Sequence, residues 1–407
     1  MSIQTTTQTR STATVPAPDP GTEPPLAFVD LSAQQREIDD EVQEGLRRVF
    51  ESTAFIGGPD VKAFESEFAS FLGVSECVGV GNGTDALELS LRAAGVRAGG
   101  EVILPANTFI ATAEAVSRIG AVPVLVDVDP DHLLIDPAAA IEAITGRTQA
   151  IMPVHLYGQT AFLEQLADGA ERAGVVIIED AAQAHGASRL GRRAGGLGLA
   201  AGTSFYPGKN LGAAGDAGAV VTNDAGLAAR VRVLGEHGSP AKYQHTTVGM
   251  NSRLDTVQAV VLRAKLMRLE RWNAQRRAAA DRYAELLSEL ASAGTVQLPS
   301  EAEGNHHVWH LYTVHVENRD RVLEVLRAAG IGAGVHYPVP VHLTQAYEHL
   351  GLARGAFPVT EAAADRLLSL PISPHITAAQ QERVVAVLTG AIHAGSATSF
   401  PESGASV

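Results

Sequence analysis

The sequence predicts an α/β fold: a mostly parallel β-sheet flanked by helices, followed by a smaller α+β block. Three observations carry this reading. Short Val/Ile-rich runs alternate with amphipathic helical stretches, those runs are apolar at consecutive positions rather than at every second one, and one of them ends in two acids. Strands apolar at every position are buried on both faces, as in a parallel sheet covered by helices. Ligands of such sheets bind beyond the carboxyl ends of the strands.

The elements follow in chain order. Residues 1–25 are rich in Thr, Gln and Pro with almost no large apolar groups, so they cannot offset their ordering entropy and are expected to form a disordered tail. Folded sequence starts near Leu26-Ala-Phe-Val-Asp-Leu31. Strands are expected at Cys77–Val80, Val102–Leu104, Val122–Val126, Ala150–Pro153, Val175–Ile178 and Ala219–Thr222, with helices such as Asp85–Ala94 and Thr112–Ile119 between them. Residues 26–265 thus read as a large domain. A long helical stretch, roughly Thr256–Ala291, repeats Leu262, Leu266 and Leu269 at helical spacing and leads into a small C-terminal domain over 266–393. That domain holds strand-like Trp309–Val316, a helix near Arg319–Ala329 and the segment Gly334-Val-His-Tyr-Pro338. Residues 394–407 read as a second disordered tail.

Composition excludes several classes. At 407 residues, 45% hydrophobic and 19% charged, the chain is too long for one ordinary core and too apolar for global disorder. Lys and Arg number 31 against 45 Asp and Glu, a net charge of −14, which disfavours a nucleic-acid-binding face. The single cysteine, Cys77, excludes an internal disulfide framework and a Cys-based zinc cluster. No apolar run approaches the roughly 20 residues that span a bilayer, and Met1–Pro25 lacks the apolar core of a signal peptide. No nucleic acid, no membrane and a cytoplasmic location are expected.

Three pieces carry chemistry. Val175-Val-Ile-Ile-Glu-Asp180 is an apolar strand ending in acids, which places Asp180 either at a ligand edge or at a helix cap. In Ser204-Phe-Tyr-Pro-Gly-Lys-Asn210, Lys209 lies in an apolar, Gly-rich setting where desolvation lowers an amine's pKa and makes it nucleophilic. Gly81-Asn-Gly-Thr-Asp-Ala-Leu87 joins a strand to a helix, so its free backbone N–H groups and the helix dipole suit a phosphate. It lacks the Gly-Lys-Ser/Thr of a P-loop, and the glycine cluster Gly195–Gly202 lacks the strand and helix that a dinucleotide fingerprint requires. A phosphate cradle, a strand-end Asp and a desolvated Lys together suit pyridoxal 5′-phosphate (PLP): Lys as Schiff base, Asp on the pyridine nitrogen, helix N-terminus on the phosphate.

The chain resembles the DegT/DnrJ/EryC1/StrS family of PLP-dependent sugar aminotransferases, over about residues 26–393. The resemblance is carried by Gly57-Gly-Pro59, Gly81–Asp85, Pro105-Ala-Asn-Thr-Phe109, Pro153-Val-His-Leu-Tyr-Gly158, Glu179-Asp-Ala-Ala-Gln-Ala-His185, Ser204–Asn210, Asn251-Ser-Arg-Leu-Asp255 and His336-Tyr-Pro338. It implies the aspartate aminotransferase-like (type I PLP) fold, with Lys209 and Asp180 catalytic. It further implies Gln183 near the PLP 3-hydroxyl, Phe109 stacked on the ring, and Gly83, Thr84 and Ser204 on the phosphate. Asn251 would reach the phosphate of the other subunit's cofactor, making a homodimer with shared active sites. Tyr206, Lys242, Tyr243, His336 and Tyr337 would face the sugar nucleotide.

His155 and His185 are read as structural, and the pairs His306/His307 and His310/His315 suggest no metal, since no carboxylate or Cys cluster accompanies them. Arg253 fits an anion contact, a helix cap or an interface equally well. Family members that carry His in place of the lysine act as dehydratases, so Lys209 favours aminotransfer, with L-glutamate as donor and PLP cycling to pyridoxamine phosphate (PMP). The form of Ser204–Gly212, followed by Gly215-Asp-Ala-Gly218, and His336-Tyr-Pro-Val-Pro-Val-His342 look most like members that aminate C3 of a dTDP-3-keto-6-deoxyhexose. A C4 aminotransferase or one acting on a UDP-linked 3-keto sugar is the alternative. A non-catalytic PLP- or sugar-nucleotide-binding regulator would be marked by loss of Lys209 or Asp180, and neither is lost.

Overall fold

The computed structural model describes residues 24–396. The expected tails therefore lie outside the described residues, apart from Pro24–Pro25 and the stretch 394–396, which completes the last helix, Ala378–Ser396.

A seven-stranded sheet runs, in spatial order, Glu76–Val80, Gly218–Thr222, Ala200–Ser204, Val176–Asp180, Thr148–Ile151, Glu101–Pro105 and Val122–Val126. Six strands are parallel, and Gly218–Thr222 runs against both of its neighbours. Both faces are covered, as the apolar runs require. Val102 and Leu104 pack with Leu87 and Leu89 of the helix Gly83–Ala93. Ile103 between them packs on the other face with Leu163 and Leu166 of the helix Leu163–Ala173. This alternation is the period-two geometry of a strand read out on two cores.

Ala200–Ser204 was not among the expected strands. Its sequence, Ala-Ala-Gly-Thr-Ser, lacks the large β-branched groups that mark the others. The reason is close packing: a Cβ on Gly202 would lie 2.7 Å from Leu87 Cδ2 and 2.9 Å from Leu87 N. The helix Gly83–Ala93 sits so tightly on this strand that only small side chains fit beneath it.

The expected single helix over Thr256–Ala291 is three: Thr256–Leu266, Leu269–Leu286 and Ser288–Ser292. At the first break Arg268 Nη1 donates to the Ala264 carbonyl at 2.7 Å, capping the end that the break exposes. Beyond it, an antiparallel sheet of Val296–Gln297, Tyr312–Val316 and Leu367–Leu370 packs against Arg319–Ala328 and Ala378–Ser396 through Val314, Leu326, Leu368, Val384 and Leu388. The strand expected from Trp309 starts only at Tyr312, because Trp309 has φ 44° and its N–H turns back to His307 Nδ1 at 2.8 Å. The start of the described chain crosses to this same apolar core. Leu26 pairs with Ile331, and Phe28 stacks on His336 with ring centroids 5.5 Å apart. Among the described residues no helix is long and apolar enough to cross a membrane.

Candidate active site

The turns after Val80, Pro105, Asp180 and Ser204 all leave the sheet at its carboxyl edge. They meet the C-terminal segment around a cleft of about 710 Å³. Ten of the expected site residues line it: Gly83, Thr84, Phe109, Asp180, Gln183, Ser204, Tyr206, Lys209, His336 and Tyr337.

At one end the helix Gly83–Ala93 points its N-terminus into the cleft. Asn82 caps it by accepting from Asp85 N at 2.8 Å, leaving the N–H groups of Gly83 and Thr84 for a ligand. Gly83 is required: a Cβ there would lie 2.5 Å from Ser204 Cβ, so Ser204 and the helix start meet as a cradle only without a side chain. A phosphate fits this donor set.

Asp180 closes its strand and is buried. Thr112 Oγ1 donates to Oδ2 at 2.8 Å and Ala182 N to Oδ1 at 3.1 Å. Thr108 and Thr112 hydroxyls lie 2.7 Å apart. Since the Thr112 proton goes to Asp180, Thr108 is the donor of that pair. A carboxylate offers about four acceptor sites, so Asp180 has room for a further donor, which a protonated pyridine nitrogen would satisfy. Burial raises the Asp180 pKa; the Thr112 and Ala182 hydrogen bonds and the Lys209 charge oppose this.

Lys209 is half-buried on the cleft floor, its N–H tied to Tyr206 O at 2.8 Å. Desolvation lowers its pKa to about 8, and the Asp180 carboxylate acts against that fall. The imidazoles around it stay neutral. Burial first, then the Lys209 charge, brings His336 down to about 4 and His185 to about 3.

Phe109 is half exposed in the cleft rather than in a core, its ring 5.1 Å from that of Tyr337. Gln183 accepts from Tyr157 N at 2.7 Å and donates to Tyr337 Oη at 3.1 Å, so its amide is oriented before any ligand arrives. His336 Nδ1 lies 2.8 Å from Ser369 Oγ. Three expected residues are elsewhere. Lys242 and Tyr243 stand on an exposed loop, with Lys242 Nζ 5.2 Å from the Tyr243 ring, and Asn251 is exposed beside it. None of the three lines this chain's own cleft.

Sequence reasoning missed Thr112 and His310, both of which line the cleft. His155 and His185 are indeed packed into the fold. His155 Nε2 lies 2.8 Å from Glu179 Oε2 while its Nδ1 accepts from Ala161 N, and His185 Nε2 lies 2.9 Å from Thr203 Oγ1. Arg253 pairs with Glu236 at 3.1 Å.

Such a site, a desolvated lysine and a buried acid at the carboxyl edge of a mostly parallel sheet, with a free helix N-terminus alongside, accords with an enzyme of the type I PLP fold. The chain belongs to the DegT/DnrJ/EryC1/StrS aminotransferase family, whose match spans residues 36–389. It is 48% identical to the erythromycin biosynthesis sensory transduction protein EryC1 of Saccharopolyspora erythraea, over 89% of this chain and 98% of that protein. It is also 48% identical to the dTDP-3-amino-3,4,6-trideoxy-alpha-D-glucose transaminase of Streptomyces venezuelae, over 89% of this chain and 95% of that one. Among solved structures, S. venezuelae DesV in complex with a ketimine intermediate superposes with a TM-score of 0.87 at 46% identity, covering 91% of this chain and 99% of that chain.

Proposed function

We propose that the protein is a PLP-dependent aminotransferase that moves the amino group of L-glutamate to C3 of a dTDP-linked 3-keto-6-deoxyhexose. The observation that supports it most is Lys209 and Asp180 sharing one cleft floor with an open helix N-terminus. The printed activity of the S. venezuelae transaminase supports the C3 position and the dTDP carrier.

When bound, PLP supplies an electron sink and carries the amino group between the two substrates. The protein does the rest. Gly83 N, Thr84 N and Ser204 Oγ would hold its phosphate, and Asp180 would keep a proton on the pyridine nitrogen. Phe109 would cover one ring face, and Gln183 and Tyr337 would border its hydroxyl side. Lys209 Nζ takes the proton from the donor's α-carbon in the first half-reaction and delivers one to sugar C3 in the second. Its pKa of about 8 leaves roughly a tenth of the amine neutral at neutral pH before any ligand binds.

The same reading makes a cytoplasmic homodimer, in which Asn251, Lys242 and Tyr243 leave their own cleft to reach the partner subunit's. It divides the chain near residue 265, with the cleft between the large and small domains. The test is spectroscopic. The absorbance band of the PLP-loaded protein should bleach with L-glutamate and return on adding a 3-keto dTDP-6-deoxyhexose. Return only with the 4-keto isomer, or only with a UDP-linked 3-keto sugar, would move the substrate to the alternative class. Absence of any band would leave the regulatory reading.

A further inference from the structure

Tyr157 does not line the cleft, yet its polar groups reach three segments that build it. It is 5% exposed and sits at φ 62°, ψ −8°, in the left-handed region. A bulky residue keeps that conformation only where its surroundings over-determine it. Here they do. Tyr157 N donates to Gln183 Oε1 at 2.7 Å, and its carbonyl accepts from Leu311 N at 3.1 Å. Its hydroxyl donates to the His336 carbonyl at 2.8 Å. Packing holds the turn as well, since a Cβ on the next residue, Gly158, would lie 2.7 Å from His310 N.

These contacts close a circuit whose direction is forced. A backbone N–H can only donate, so Gln183 turns Oε1 to Tyr157 and Nε2 to Tyr337 Oη, 3.1 Å away. A carbonyl can only accept, so Tyr157 spends its one hydroxyl proton on His336. The peptide bond between His336 and Tyr337 completes the ring. Because Tyr337 Oη accepts from Gln183, its own proton is left over, and Tyr337 lines the cleft. On its other side the same segment is held by Phe28, stacked on the His336 ring, and by Ser369 Oγ, 2.8 Å from His336 Nδ1. Tyr157 supplies the opposing hold, from the turn that follows the strand Thr148–Ile151.

We propose that Tyr157 is a positioning residue: its N–H and hydroxyl hold Gln183 and the His336–Tyr337 segment in one arrangement, in which Tyr337 offers a hydroxyl proton to an oxygen acceptor in the cleft. Under the function proposed above, two sources offer that acceptor, the phenolic oxygen of PLP and an oxygen of the sugar nucleotide. The arrangement of the three side chains does not rest on that function. Burial raises the pKa of both phenols above the usual range, so both keep their protons.

The test exploits a small tyrosine set, seven in the chain. In the cofactor-free full-length protein carrying 13C at tyrosine Cζ, the line lost in Y337F assigns Tyr337. Y157F keeps its ring among Leu156, Leu311 and Leu367, keeps the backbone N–H and removes only the hydroxyl. It should move the Tyr337 line and leave that of exposed Tyr243 in place. A Tyr337 line that stays put overturns the proposal. The loaded protein then separates the two sources. A donor on the phenolic oxygen of PLP favours its ionised form. In that case the pH midpoint of the absorbance band should rise by about half a unit or more in Y157F and in Y337F, roughly a threefold change in equilibrium. With the acceptor on the sugar nucleotide, the midpoint stays. Calorimetry should then show affinity about threefold or more weaker for a dTDP-linked 6-deoxyhexose bearing a 3-hydroxyl, which cannot accept an amino group. In either case the double variant Y157F/Y337F should stay within about twofold of Y337F, because Tyr157 acts through Tyr337. A merely structural role would make the two losses add. Additive losses, or no change in either quantity, overturn the proposal. Failure of the parent to take up PLP would overturn the proposed function and leave the tyrosine lines readable.

Discussion

Two neighbouring acids, Glu179 and Asp180, end the same strand, and both are buried, yet they have opposite surroundings. Because successive side chains of a strand leave on opposite faces, one residue's shift along the chain takes the carboxylate from the cleft into the body of the fold. Glu179 accepts from His155 Nε2 at 2.8 Å and from the backbone N–H groups of Gly195, Leu197 and Gly198 at 2.7, 2.8 and 2.7 Å. His155 is the donor of its pair, since its Nδ1 is taken by Ala161 N. Four donors saturate Glu179; Asp180 has two. Burial raises both pKa values. For Glu179 the His155 and backbone donors outweigh it and the net shift is down, whereas for Asp180 the net shift is up. A saturated carboxylate holds structure together. An unsaturated one in a cleft is available to a ligand.

The comparison can be broken by substitution, beginning with the largest effect. Asp180→Asn should leave PLP bound, as judged by its absorbance, and reduce turnover about a thousandfold, roughly 4 kcal/mol of barrier. Steady-state rates check this, and near-full activity would remove Asp180 from the chemistry. Glu179→Gln should cost about 3 kcal/mol of stability in chemical denaturation, because an amide cannot accept from all four donors. The protein that remains folded should keep its rate per active site. Thr112→Val removes one donor from Asp180 and should lower turnover about tenfold or less, with stability within about 1 kcal/mol of the parent.

The pH dependence of stability sharpens the same contrast. Glu179 is lowered, so its contribution is full above its unfolded value, 4.5, and is lost as pH falls through its folded pKa. Asp180 is raised, so its contribution is full below its unfolded value, 3.8, and is lost as pH rises through its folded pKa. At neutral pH without cofactor, Asp180→Asn should therefore melt at or above the parent temperature. Glu179→Gln should melt well below it, and the gap between Glu179→Gln and the parent should shrink in acid.

How far the sequence went depends on where each signal lies. Lys209, Asp180 and the Gly81–Leu87 turn sit in short local patterns, an apolar strand with an acid or a glycine turn before a helix, and local patterns survive folding. The Glu179 clamp did not announce itself, because its donors are backbone N–H groups of Gly195–Gly198 and a backbone donor leaves no trace in side-chain identity. The glycines read as a failed nucleotide motif are a loop that closes on a carboxylate. Thr112 and His310 lie in an ordinary-looking helix and an irregular approach to a strand; only topology brings them to the cleft. Ala200–Ser204 lacked a strand pattern because Leu87 leaves room for small residues alone. For Lys242, Tyr243 and Asn251 one chain is not enough, since the proposed contacts of these residues need a second copy.

The division of labour between the two acids is tested most directly by the 15N resonance of PLP labelled at its pyridine nitrogen and bound to the protein. The account predicts a protonated nitrogen in the parent and in folded Glu179→Gln, and an unprotonated one in Asp180→Asn. A nitrogen that stays protonated in Asp180→Asn, or loses its proton in Glu179→Gln, would contradict it.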